Sequence, residues 1–171
     1  MTSRFQNSVV GFATFCASLA GPAFSAGADI IQIPAIAFTA RSSTNVIGDE
    51  NQGTLTNGKG NFYAAVPFTT DGAVVCQFNL VHRDNDADSE IVALLVKKSI
   101  VRGGMPFDPP VVMAKVHTGV AAATSGVKIK SDSSIHFPVL HLDSQFYYVE
   151  LQVASQLLEV LGVQIVVKPA C

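Results

Sequence analysis

The densest oxygen chemistry of the chain lies in one short run, Asp84-Asn85-Asp86-Ala87-Asp88-Ser89-Glu90. Asp84, Asp86, Asp88 and Glu90 recur at every second position, a pattern that can gather hard carboxylate ligands around Ca²⁺. The D-x-D-x-D opening also matches the start of an EF-hand loop. The match ends there. Ser89 stands at the glycine position, Leu95 stands where the bidentate glutamate belongs, and no helical pattern flanks the segment. An EF-hand is excluded, and two expectations remain. One is a calcium site. The other is a solvated hairpin turn between two apolar strands, in which Asp and Asn form the turn and discourage edge pairing. The turn is the plainer reading, with calcium the one cofactor the pattern admits.

A second constellation reads Ile135-His136-Phe137-Pro138-Val139-Leu140-His141-Leu142-Asp143. On a strand, His141 and Asp143 face the same side, and with His82 or His117 they could ligate a transition metal. The metal signature of cupin jelly rolls needs an H-x-H pair, which this chain lacks, and His136 and His141 have opposite strand parity. The plainer reading is a histidine pair on a rim strand. Hydrolytic chemistry has less support. There is no G-x-S-x-G elbow, no phosphate or dinucleotide loop, and Glu150 has no identifiable carboxylate partner for glycoside hydrolysis. Three consecutive aromatics, Phe146-Tyr147-Tyr148, sit on one predicted strand. They cannot all point inward. Those left outside, Phe146 and Tyr148, form a candidate binding surface suited to stacking on a sugar ring or filling a partner's pocket.

The elements that must carry these residues are strands. No heptad or 3.6-residue stripe is present; alternation and β-branched runs recur, broken by Gly, Asp, Asn, Ser and Pro. Residues 29–39 predict an opening strand with a bend or edge at Pro34. Residues 41–61 are polar and carry four glycines; they predict a long loop with a short strand near Gly53-Thr54-Leu55. Further strands are predicted over 61–68, 73–82, 91–98, 111–117, 127–130, 135–142, 145–153 and 158–168. Residues 154–157 can make one helical turn. In the strand over 73–82, Val74, Cys76, Phe78 and Leu80 share a face. Residues 91–98 are apolar on both faces, as a central strand requires. About eight strands without intervening helices predict an all-β, antiparallel β-sandwich of jelly-roll type.

Before that domain stands a leader. Arg4 provides a positive start, Val9 to Leu19 form an apolar stretch too short to span a bilayer, Pro22 ends it, and Ala26-Gly27-Ala28 is an A-x-A cleavage site. Residues 1–28 therefore predict a signal peptide, and residues 29–171 a single exported domain with no membrane span after processing. Cys16 leaves with the leader. Cys76 and Cys171 remain, in a compartment where disulfides persist, and an internal bridge between them is expected. Of 171 residues, 49% are hydrophobic and 14% charged, and Lys and Arg total 11 against 13 Asp and Glu, for a net charge of −2. The composition excludes a disordered chain. It equally excludes the basic excess that a general grip on nucleic acid requires.

The segments IPAIAFTAR (33–41), CQFNLVHRDNDADSEIVALLVKK (76–98), FYYVELQV (146–153) and LEVLGVQIVV (158–167) resemble a group of small exported bacterial proteins. That group shares an IPAxAF start, a strand–DND turn–strand hairpin and a terminal LGVxI strand. The resemblance implies export and an all-β fold, and it implies no catalytic residue. Together these observations predict an exported, non-enzymatic binding or structural module, at the cell surface or in the periplasm. Its partner would be a protein or a ligand such as a carbohydrate, and self-association is compatible with the pattern. The competing expectation is a metal-dependent enzyme on a jelly-roll scaffold.

Overall fold

A computed structural model describes residues 27–41, 54–55, 59–100, 109–120 and 123–171. The leader lies outside them, apart from its last two residues, as does most of the polar stretch 42–58. Nine strands occur among the described residues: β1 (Asp29–Pro34), β2 (Thr39–Ala40), β3 (Gly60–Ala65), β4 (Val74–Asp84), β5 (Ile91–Ser99), β6 (Val111–His117), β7 (Thr124–Asp132), β8 (Gln145–Val153) and β9 (Leu158–Lys168). They form two antiparallel sheets. Sheet A has the order β1-β9-β4-β7 and sheet B the order β2-β3-β8-β5-β6.

With the two-residue β2 set aside, the eight long strands pair first with last, second with seventh, third with sixth and fourth with fifth. This is a long antiparallel ribbon rolled on itself, and the protein is a jelly-roll β-sandwich. Rolling closes the apolar faces on each other. Phe78 and Leu80 of β4 and Val163 and Ile165 of β9 meet Phe62 of β3, Ile91 and Leu95 of β5 and Leu151 of β8, all essentially without exposure. The alternation visible in β8 is the cause. Tyr147, Val149, Leu151 and Val153 are buried, while Phe146, Glu150 and Gln152 are not.

Several expectations hold closely. β8 and β9 cover the predicted 145–153 and 158–168. β5 is an interior strand, as its two apolar faces require. β1 ends at Pro34 and lies on a sheet edge, where the missing N–H costs no ladder bond. A 3₁₀ turn, Ala35–Ala37, then carries the chain into the other sheet. Thr54-Leu55 makes one bridge, Leu55 to Val160.

Other expectations are corrected. Residues 135–142 are no strand. Phe137 adopts φ 52° ahead of Pro138, and the segment makes only one bridge, Val139 to Val74. β7 is longer than the predicted 127–130. Residues 154–157 form a tight turn between the sheets, not a helical one. The acidic run Asp84 to Glu90 is not a hairpin turn. β4 pairs with β7 and β9, whereas β5 pairs with β6 and β8, so the run is an arch from sheet A to sheet B. Strand periodicity is the same whichever sheet a strand joins, so alternation could not tell a hairpin from an arch.

Candidate functional site

Sheet B presents an aromatic groove on its outer, solvent-facing side. In β3, Phe62 and Ala64 point inward, so strand alternation sends Tyr63 and Ala65 outward. In β8 the same rule sends Phe146 and Tyr148 outward and Tyr147 inward. The register places Ala65 opposite Tyr148 and Tyr63 opposite Glu150, and Phe146 faces Lys98 of β5. A groove of about 650 Å³ results, lined chiefly by Tyr63, Phe68, Leu142, Phe146 and Tyr148, with Lys98 and Gln145 as its polar side chains. The rings of Tyr63 and Tyr148 lie 5.9 Å apart, tilted by 52°. Phe146 is 47% exposed.

The walls are held by hydrogen bonds, part-buried around Tyr147 and exposed elsewhere. Tyr147, 4% exposed, accepts from the His141 backbone N–H at 2.8 Å and donates from its hydroxyl to Gln145 Oε1 at 3.0 Å. Its ring meets Phe68 edge-on at 5.1 Å. The Leu142 N–H donates to Asp71 Oδ1 at 2.7 Å, which ties the β3–β4 connection to the β7–β8 connection. Gln152 Nε2 donates to Glu150 Oε1 at 3.0 Å. Burial, then the neighbouring Glu150 carboxylate, pushes the Tyr63 phenol above its usual range, with Arg41 pulling part of the way back. Tyr148 is raised by burial, by Glu150 and by Tyr63. Both phenols therefore stay neutral at ordinary pH, and their hydroxyls can donate as well as accept.

The two aromatics named from sequence, Phe146 and Tyr148, thus share one groove. Tyr63, Phe68, Leu142, Gln145 and Lys98 were missed. The parity of Asn61 to Phe68 could have flagged Tyr63. Nothing in the sequence shows that β3 lies beside β8.

The structure does not assemble the metal constellations. His141 and Asp143 are exposed in the turn that starts β8, not on one side of a strand. His82 is buried at 1% exposure inside the sandwich, and His117 lies at the end of β6, 3.5 Å from Glu90. In the arch, Asp84 Oδ1 accepts from the Asp86 N–H and Asp86 Oδ1 from the Asp88 N–H at 3.0 Å. Hydrogen bonds, first from the Ser155 side chain and then from the Asp88 backbone and Ser89, hold the Asp86 carboxyl below its usual range. Among the described residues, no three His, Cys, Asp or Glu side chains are grouped to hold a metal ion.

Cys76 and Cys171 are bonded, with Cα atoms 5.6 Å apart. The route differs from expectation. The register shifts between Val75 and Gln77, a bulge centred on Cys76, so Val75 points into the core while Val74 and Cys76 are only part-buried. β9 ends opposite Val74, at the start of β4. The bulge turns the thiol out of the core toward the tail that follows Lys168.

No family model matches the chain, and no curated protein matches it. Among solved structures it is similar to the CBM36-1 domain of a multidomain xylanase from the hindgut metagenome of Trinervitermes trinervoides, at 12% identity over 82% of this chain and 96% of that chain, with a TM-score of 0.43.

Proposed function

We propose that the protein is an exported, non-catalytic binding module that holds a carbohydrate in the groove on the outer face of sheet B. One observation carries the reading. Three aromatic side chains, Tyr63, Phe146 and Tyr148, are aimed at solvent from adjacent strands of a rigid sheet, around a groove of ligand size. Aromatic faces pack against the C–H faces of pyranose rings, and the hydroxyls and amide at the rim satisfy sugar hydroxyls. The side chains lining the groove offer aromatic faces for stacking and phenol and amide groups for hydrogen bonding. Export is supported by the leader pattern and by the disulfide, which suits an oxidising compartment. Among the described residues, no helix is long and apolar enough to cross a membrane.

Affinity electrophoresis against a panel of soluble polysaccharides, followed by calorimetry on any retarding glycan, tests the reading. Tyr148→Ala and Phe146→Ala are expected to weaken binding by at least about tenfold each, the effect of losing one central aromatic contact. They should leave the melting temperature nearly unchanged, because Phe146 and Tyr148 lie outside the core. Binding that survives both substitutions would place the site elsewhere.

A further inference from the structure

The aromatic groove takes its floor from strands and one side from connections. Tyr63, Phe146 and Tyr148 stand on β3 and β8, whereas Phe68 and Leu142 line it from beyond the end of β3 and ahead of the start of β8. Both connections are anchored. The Phe68 ring meets the buried Tyr147 edge-on at 5.1 Å, and Asp71 Oδ1 accepts from the Leu142 N–H at 2.7 Å, which holds one connection to the other. The concave shape therefore exists before any ligand arrives. Within it, Tyr63 and Tyr148 are not coplanar. Tyr63 stands opposite Glu150 and Tyr148 opposite Ala65, so the two phenols are diagonal neighbours across the β3–β8 pair. Their ring centres lie 5.9 Å apart, and their planes are inclined by 52°. A flat surface lying flush on one ring meets the other by its edge and loses the face contact that stacking requires. A single chain of sugars can rotate about its glycosidic bonds and present a C–H face to each ring in turn.

The charges around the groove are of both signs, and each is in use. The Glu150 carboxylate lies beside both phenols and accepts from Gln152 Nε2 at 3.0 Å. Arg41 interacts with the Tyr63 hydroxyl. Lys98, the charged side chain among those lining the groove, already has an interaction of its own. An acidic sugar would meet Glu150, and a basic one would meet Arg41 and Lys98, so a charge of either sign finds a like charge in place. Resting on the carbohydrate reading above, we infer that the groove takes a single, uncharged glycan chain that turns from the Tyr63 face to the Tyr148 face, rather than the flat surface of a packed polysaccharide or a charged glycan.

Three classes of probe test the inference on the disulfide-bonded protein. Hydroxyethylcellulose, laminarin and galactomannan are soluble and neutral. Polygalacturonate, alginate and chitosan are soluble and charged. Microcrystalline cellulose and chitin powder present flat, packed surfaces. At least one neutral soluble probe should retard the protein in affinity electrophoresis, at least about tenfold more tightly than any charged probe, and neither powder should deplete the protein from solution. Tyr63→Ala and Tyr148→Ala should each weaken the neutral probe by about tenfold or more, because the chain uses both rings. Glu150→Gln should bring the polygalacturonate affinity several-fold closer to the neutral one, an effect on charge that a loss of folding would not produce. Depletion by either powder that Tyr148→Ala abolishes would overturn the single-chain inference and leave the carbohydrate groove standing. Preference for a charged probe would overturn the uncharged ligand, again leaving the groove. Neutral binding that Tyr63→Ala leaves unchanged would overturn the use of both rings. Binding of no probe in any class would overturn this inference and the carbohydrate reading together.

Discussion

His82 is a histidine enclosed in the interior, 1% exposed, with neither ring nitrogen making a full hydrogen bond. Burial lowers its pKa below 6.5. The Leu80 backbone and the Asp84 carboxylate pull the other way, and Lys128 and Lys130 add to the lowering. As pH falls, the unfolded chain takes up this proton first. The contribution to stability is therefore fully present above about pH 6.5 and is lost as acid is added below it. The melting temperature should fall between about pH 7 and pH 5 more steeply in the wild type than in His82→Leu; parallel curves would assign the acid loss to other groups. Gly162 shows a different constraint. Its φ is 158°, and a Cβ added there would sit 2.7 Å from the Ile33 carbonyl oxygen, a backbone atom of the paired strand β1 that cannot swing away. Gly162→Ala should cost about 1–3 kcal/mol through strain, read as a melting temperature several degrees lower. Both residues were named in the sequence, His82 as a candidate ligand and Gly162 within an LGVxI pattern. Their constraints come from neighbours across the fold, which local spacing does not reveal.

At the scale of elements, the arch from Asp84 to Glu90 and the strand β8 behave differently. The arch spans the gap between the sheets, and its carboxylates are occupied by Asp86 and Asp88 N–H groups, by serine side chains and by His117. Calcium added to the metal-free protein should leave the melting temperature unchanged. A rise that disappears in the double variant Asp86→Asn/Asp88→Asn would make the arch a metal site. β8 is the central strand of sheet B, and it supports the groove from below through Tyr147. Tyr147→Phe removes the acceptor of the His141 N–H and the donor to Gln145, and should cost about 0.5–1.5 kcal/mol. It should also weaken glycan binding, since Gln145 loses its anchor; unchanged affinity would show that Gln145 is held by other contacts. The alternation of β8 was plain in the sequence and assigned Tyr147 inward and Tyr148 outward correctly. The same method failed over 135–142, where the apparent alternation is interrupted by the left-handed Phe137 and by Pro138.

Across the whole molecule, the Cys76–Cys171 bridge joins residues 95 apart in sequence. The chain-entropy model assigns closure of such a loop about 4–5 kcal/mol. The paired variant Cys76→Ser/Cys171→Ser should lose up to that amount in denaturant unfolding while keeping the β-sheet circular dichroism spectrum. A negligible loss would mean that the β4–β9 pairing already restrains the unfolded ends. Intact-mass analysis of protein from its native host should find a chain starting at Asp29; a chain that retains Met1 would remove the support for export. By itself the sequence determined the fold class, the extents of β8 and β9, the single cysteine pair and the outward Phe146 and Tyr148, because each follows from strand periodicity or from elimination. Only the tertiary structure decided which sheet each strand joins, that the acidic run is an arch, and that Tyr63, Phe68, Lys98 and Gln145 meet Phe146 and Tyr148 around one groove. Those outcomes depend on pairings between strands far apart in the chain, and a period of two residues is the same for every partner a strand can take.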